Sequence, residues 1–194
     1  MSEKVWKKKE KGEHGFISYR KRRYLIAMGS YVLTGLGIFV IGLLTNHMSP
    51  KNMGSVLAML MSLPFAKAAV GFLILAPYKD VSEENYKKID GLCKPGVMLY
   101  SDLVFTSTEK VMNLSFLAET DGTVIGLVGK PNQNVQYIEE YLGKGIRNWG
   151  YSYSFRLYQD EGEFIKEMGK LEPKDIPVEE KKQVKDYLMS LIVC

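Results

Sequence analysis

The sequence predicts an α+β protein: an N-terminal two-helix transmembrane hairpin followed by a small cytoplasmic domain of order α-β-β-β-α-β-α-α. Three observations predict it. Residues 24–45 form an uncharged apolar run directly after a basic cluster. Residues 54–77 form a second apolar run whose one charge is Lys67. Beyond residue 77 the pattern changes to short amphipathic helices and alternating strands. A bilayer core needs about 20 apolar residues in an α-helix, and both runs reach that length. The chain therefore divides into a basic tail, 1–23, a hairpin, 24–77, and a soluble domain, 78–194.

Charge follows the same division. Residues 1–23 hold nine Lys/Arg against three Glu, whereas residues 78–194 hold fifteen Lys/Arg against nineteen Asp/Glu. The overall net charge of +4 thus belongs to the tail and hairpin. The domain that could offer a binding surface is mildly acidic, which argues against nucleic acid as a partner. Two cysteines and two histidines give no disulfide framework and no metal-ligand spacing, so no metal or cofactor is expected.

Basic residues near span ends stay on the cytoplasmic side. Lys4, Lys7, Lys8, Lys9, Lys11, Arg20, Lys21, Arg22 and Arg23 precede the first run, and Lys79, Lys87, Lys88 and Lys94 follow the second. The connecting stretch has Lys51 alone. The expected protein crosses the cell membrane twice, with both termini cytoplasmic. The first run is too long for a signal-peptide apolar region. The basic tail sets this orientation, and Lys7, Lys8, Lys9, Arg20, Lys21, Arg22 and Arg23 are candidates to hold anionic lipid headgroups.

The first span is rich in small residues, among them Gly29, Gly35, Gly37 and Gly42. Small residues let helices approach closely in lipid. The expected seat is the second span of the same chain, with a homo-oligomeric contact as the alternative. In the second span Pro64 should kink the helix. Lys67 is an intramembrane charge, which marks a functional candidate by default. Counting inward from the cytoplasmic ends sets it level with Thr34, with Tyr31 about a turn nearer the cytoplasm. Snorkelling, a re-entrant helix and an oligomeric partner are the alternatives for Lys67.

The soluble domain starts with a helix capped by Ser82, with Tyr86, Ile89 and Leu92 on one face, stopped by Lys94-Pro95-Gly96. Strands are expected at 97–106, 111–119 and 123–128. Asp121-Gly122 is a hairpin-turn signal. A helix opening at Pro131-Asn132 carries Val135, Ile138, Leu142, Ile146 and Trp149 at helical spacing, weakened by Gly143 and Gly145. Residues 151–158 alternate as a half-buried strand. Asp160 with Glu163 resembles a capping box. A last helix covers about 178–192, after a linker at 173–177.

Catalytic patterns are sparse. No glycine loop has a phosphate-cradling spacing, and both histidines, His14 and His47, fall outside the expected domain, so no His-based triad is expected there. Asp102, Glu119 and Asp121 are the weak catalytic candidates, since paired carboxylates could hold a divalent ion. The order helix, three strands, helix, strand loosely resembles restriction-endonuclease-like folds. Those folds place an acid on the second strand and an acid-x-Lys signature on the third. Here the third run, Thr123 to Lys130, has no acid, so the resemblance is of element order alone. The reading is an integral membrane protein presenting a cytoplasmic binding, scaffold or regulatory domain, with the lipid bilayer and a protein as partners. The alternative is a membrane-tethered enzyme acting on phosphates or nucleic acid through a degenerate nuclease-like core.

Overall fold

The computed structural model describes residues 8–150 and 152–193. Lys4, Trp6, Lys7, Tyr151 and Cys194 lie outside the described residues, and with them the expected headgroup role of Lys7. Two compact units are present, one of residues 18–77 and one joining the chain up to Ile17 with Tyr78–Val193.

Helix α1 spans Phe16–Thr45. It starts eight residues before the expected span because the basic cluster Arg20–Arg23 is itself helix-forming. At about 1.5 Å per residue it is roughly 45 Å long. Helices α2, Met53–Leu60, and α3, Ser62–Leu75, form one broken apolar rod. The break falls at Met61, whose N–H turns to the Ala58 carbonyl at 3.2 Å. Pro64 accounts for it. It has no N–H for the Leu60 carbonyl, and its ring clashes with that group.

Glycines set the crossing of these helices. A methyl group on Gly54 would meet the Gly42 backbone, one on Gly35 would meet Met61, and one on Gly71 would meet the Tyr24 ring. The two apolar stretches therefore pack on each other through Gly35 and Gly42, while a methyl group on Gly29 or Gly37 would meet nothing within 4 Å among the described residues. At the turn, Asn52 caps α2 by accepting from Ser55 N at 2.9 Å and donates to the Gly42 carbonyl at 3.0 Å. At the other end the Lys21 ammonium donates to the Ala76 carbonyl at 3.0 Å, a cation placed where the α3 dipole favours it.

The other unit is built on a sheet of order β1-β2-β3-β4. Strands β1, Met98–Thr106, β2, Val111–Thr120, and β3, Thr123–Val128, form an antiparallel meander. The β2–β3 turn is the expected Asp121-Gly122 pair, with Gly122 at φ +86°. Strand β4, Ser154–Tyr158, lies parallel to β3 and is reached through helix α5, Val135–Trp149. It begins three residues later than expected because Tyr153 N bonds the Gly150 carbonyl in a local turn.

Helix α4, Glu83–Asp90, is capped by Ser82, and α6, Glu161–Met168, by Asp160. Both lie over one face of the sheet, where Ile89, Phe116, Ala118, Ile125, Leu127, Phe164 and Met168 form a core. α4 stops at Gly91, so Leu92 lies outside it and is half exposed. Helix α5 is capped by Asn134 rather than by the expected Pro131-Asn132, and it packs on α7, Val178–Leu191. Gly143 and Gly145, which lower the helical propensity of α5, are contact seats: one faces Phe155, the other the Tyr187 ring.

The N-terminal segment is part of this unit, not a separate tail as far as residue 23. Ser101 N donates to the Gly12 carbonyl at 2.9 Å, and a methyl group on Gly12 would strike the Tyr100 ring. Lys11 reaches the Met189 carbonyl at 2.8 Å. Residues 8–17 thus lie as a strap along β1, and Phe16 and Ile17 are buried. The far end of β1 is covered by the chain terminus, with Phe105 bridged to Ile192.

Candidate functional site

Asp102 sits in the middle of β1, not at a strand end, and is fully buried. It has φ +56°, a left-handed conformation that Asp tolerates better than most residues. The turn of the backbone aims its carboxylate at two N–H groups. Val81 N donates to Oδ1 at 2.6 Å and Gly15 N to Oδ2 at 2.5 Å. Burial pushes the Asp102 carboxyl upward, opposed by these two donors and by His14.

His14 belongs to this site, contrary to the expectation that both histidines lie outside the domain. Its ring stacks on Tyr86 with centroids 4.5 Å apart. Nε2 lies 3.1 Å from Glu83 Oε2, and Nδ1 lies 3.3 Å from Asp102 Oδ2. Both ring nitrogens face carboxylates, so the imidazole ties the strap to α4 and β1. Its reach to Asp102 spans most of a hundred residues of sequence, a contact that no local pattern signals.

Glu119 is a separate feature. It is buried near the end of β2, and its Oε2 has no hydrogen-bond partner among the described residues. Burial raises its pKa; Tyr100 and Lys185 pull the other way, and Asp121 adds to the rise. Tyr100 in turn is pushed up by burial and by Glu119. A cleft of about 710 Å³ opens beside them, lined by Lys9, Lys11, Tyr86, Tyr100 and Lys185 among others. Asp121, in the β2–β3 turn, pairs with Lys181 of α7 at 2.7 Å.

The three candidate acids therefore do not converge. Asp102 is bound by Gly15 of the strap and by Val81, Asp121 pairs with Lys181 of α7, and Glu119 lies apart from both. Two of them, Asp102 and Glu119, are buried. Among the described residues no group of three or more His, Cys, Asp or Glu side chains could hold a metal ion. The Cys93 thiol, pushed up by burial, lies 3.8 Å from Met168 Sδ in the core. Asn113 of the Asn-x-Ser sequon is buried, with its amide bound to the Leu103 carbonyl at 3.0 Å.

Of the expected headgroup residues, Lys8 is exposed and Lys9 donates to the His14 carbonyl within the strap. Arg20 lies over the Tyr24 ring and bonds its hydroxyl at 3.2 Å. Arg23 lies over Tyr19, Arg22 is exposed, and Lys21 caps α3.

In the hairpin, Lys67 and Thr34 are exposed and Tyr31 is half-buried. The contacts Gly35–Met61 and Tyr24–Gly71 fix the antiparallel level of the helices. Interpolated between them, Lys67 lies level with about Gly29, more than a turn from Thr34. Tyr31 instead lines a groove with Gly35, Met61 and Phe65. The sequence count misses this because α1 begins before the span and the α2–α3 rod is broken.

No known protein family, curated protein or solved structure matches this chain. The likeness to restriction-endonuclease-like folds stays one of element order.

Proposed function

We propose that this chain is an integral membrane protein that crosses the bilayer as the α1/α2–α3 hairpin and presents its α+β domain to the cytoplasm as a binding or scaffold module. The observation that carries the reading is the outer surface of the hairpin. Leu33 is 71% exposed, Leu44 69% and Met59 76%, on two helical stretches of 30 and 23 residues that are long and apolar enough to cross a membrane. A core helix of a water-soluble protein would bury such side chains; here their cover is lipid. The second stretch, at roughly 34 Å, matches a hydrocarbon core of about 30 Å.

The basic residues ahead of α1 and behind α3 support cytoplasmic termini. The engagement of Asp102 by backbone N–H groups and of Asp121 by Lys181, with Glu119 apart from both, supports binding over catalysis. Membrane fractionation with alkaline extraction tests the anchor: the full chain stays in the pellet. Reporter fusions at Met1 and Cys194 read cytoplasmic, and one at Pro50 reads external. An external signal at Cys194 overturns the topology. Purification in mild detergent then identifies the protein that co-elutes.

A further inference from the structure

Resting on the membrane-anchored reading, we propose that the domain carries a phosphate-binding cleft formed by Lys110 and Lys130 with Tyr78 and Tyr137. The cleft is about 530 Å³. Tyr137 lies at the start of α5, and Lys130 in the loop leading to it. The Lys130 ammonium lies 4.6 Å from the centroid of the Tyr78 ring, and the Lys110 ammonium 4.7 Å from that of Tyr137. A cation over an aromatic face is held in place, yet an ammonium keeps N–H donors to give.

Among the described residues neither lysine meets a carboxylate. Lys87, Lys88, Lys170 and Lys181 all meet carboxylates within 4.0 Å, whereas no described ion pair involves Lys110 or Lys130. Two ammonium groups lining one cleft without an acid repel each other, and an anion between them removes that repulsion. The cleft is also built in advance. Gln133 exchanges two bonds with the Asn113 backbone, at 2.6 and 2.8 Å, and Gly129 N bonds the Asn113 carbonyl at 2.9 Å. The loop carrying Lys130 is therefore fixed to β2 before any ligand arrives, which lowers the ordering cost of binding.

Chain connectivity supplies the ligand's source. Tyr78 is the residue immediately after Pro77, the end of the second apolar run. With α3 in the bilayer, Tyr78 is the first residue past the span, and aromatic side chains concentrate at headgroup depth. An anionic phospholipid offers its phosphate at that level; free phosphate offers the same chemistry from solution.

The test uses the full chain in nanodiscs of phosphatidylcholine alone or with phosphatidylglycerol. Lysine acylation rates are read by peptide mass spectrometry. Lys79, next to the span in sequence but outside the cleft lining, controls for surface potential, and Lys182 for general reactivity. The expected result is several-fold slower acylation of Lys110 and Lys130, relative to Lys79, in the anionic discs. Protection by inorganic phosphate in neutral discs would instead assign the cleft to a soluble phosphate. Equal slowing of Lys79, Lys110 and Lys130, or no protection by either ligand, overturns the site. K110Q should release the protection at Lys130. Failure of the chain to enter the discs would sink the membrane anchor alone, since the phosphate arm still reads the cleft in solution.

Discussion

Asp102 and Ser115 are the two positions left out of the β1–β2 ladder, between the pairs Ser101–Phe116 and Leu103–Leu114, and both strands depart from regular geometry there. β1 takes φ +56° at Asp102, and β2 shifts register against β3 between Leu114 and Phe116. The two irregularities together let β1 turn a carboxylate out of the ladder toward Gly15 and Val81. A bulge that re-aims one side chain is a common device next to a structural or functional site.

Replacing Asp102 tests that device. Asp102→Asn puts an amide N–H₂ against one of two N–H donors and should destabilise the full chain by about 1–3 kcal/mol. Asp102→Gly should cost less than Asp102→Ala by roughly 1 kcal/mol, because only Gly is free of the left-handed penalty. Chemical denaturation in detergent micelles measures both. Equal values for Gly and Ala would mean that the φ at this position is not retained.

The strap predicts how a truncated domain behaves. A fragment of residues 79–194 lacks Gly12, His14 and Gly15, so the Asp102 carboxylate loses one N–H and the Tyr100 ring its cover. It should fold in water but be less stable than the domain of the full chain by about 1–3 kcal/mol. Adding residues 8–17 as a peptide should raise its melting temperature. No effect of the peptide would argue against the strap.

Glu119 gives a pH dependence with a fixed sign. Burial holds its pKa above the ordinary 4.5, so the folded state binds the proton more tightly than the unfolded chain. Stability then falls as pH rises from about that ordinary value through the raised one. The trend is opposite to that of a salt-bridged carboxylate. Glu119→Gln should flatten this part of the profile, leaving any remaining slope to Asp102, which is raised in the same direction. An unchanged slope in Glu119→Gln would rule Glu119 out as its source.

The hairpin offers a paired comparison. Gly54→Val forces a side chain into the Gly42 backbone and should cost about 1–3 kcal/mol as overpacking. Gly37→Val, where a methyl group meets nothing within 4 Å, should leave thermal stability in detergent unchanged. Similar losses for both would place the helices' contact elsewhere.

Lys67→Leu removes a charge that costs roughly 2.5–3.5 kcal/mol on insertion scales. Since Lys67 is exposed on α3, the substitution should improve insertion without loosening the hairpin. Glycosylation-tagged insertion in microsomes reads this directly. Poorer insertion of the Leu variant would contradict a spanning α3.

Elements written in local signals were legible in the sequence. Asp121-Gly122 marks its turn, Ser82 and Asp160 mark their helix starts, and Pro64 marks the break one turn of helix away. Each works through groups within four residues. The strap was not legible, because Gly12, His14 and Gly15 meet β1 and α4 across most of a hundred residues and have no periodic pattern of their own. For the same reason the role of Asp102 was hidden: its residue type is visible, but its donors come from two distant segments. Gly143 and Gly145 read as weak points of α5 because Phe155 and Tyr187, which use the space they leave, come from later elements.

The strap and β1 are separated in the chain by the whole hairpin: Gly15 and Asp102 are 87 residues apart. The domain is thus closed by a segment that leaves the ribosome long before its docking strand exists. A free loop of that length would carry an entropic toll on every docking. The bond from Lys21 to the Ala76 carbonyl brings the two feet of the hairpin together and cuts most of those residues out of the loop. By the logarithmic dependence of closure on loop length, that shortcut is worth on the order of 1 kcal/mol. A hairpin that closes first therefore makes the unit built around β1 easier to finish.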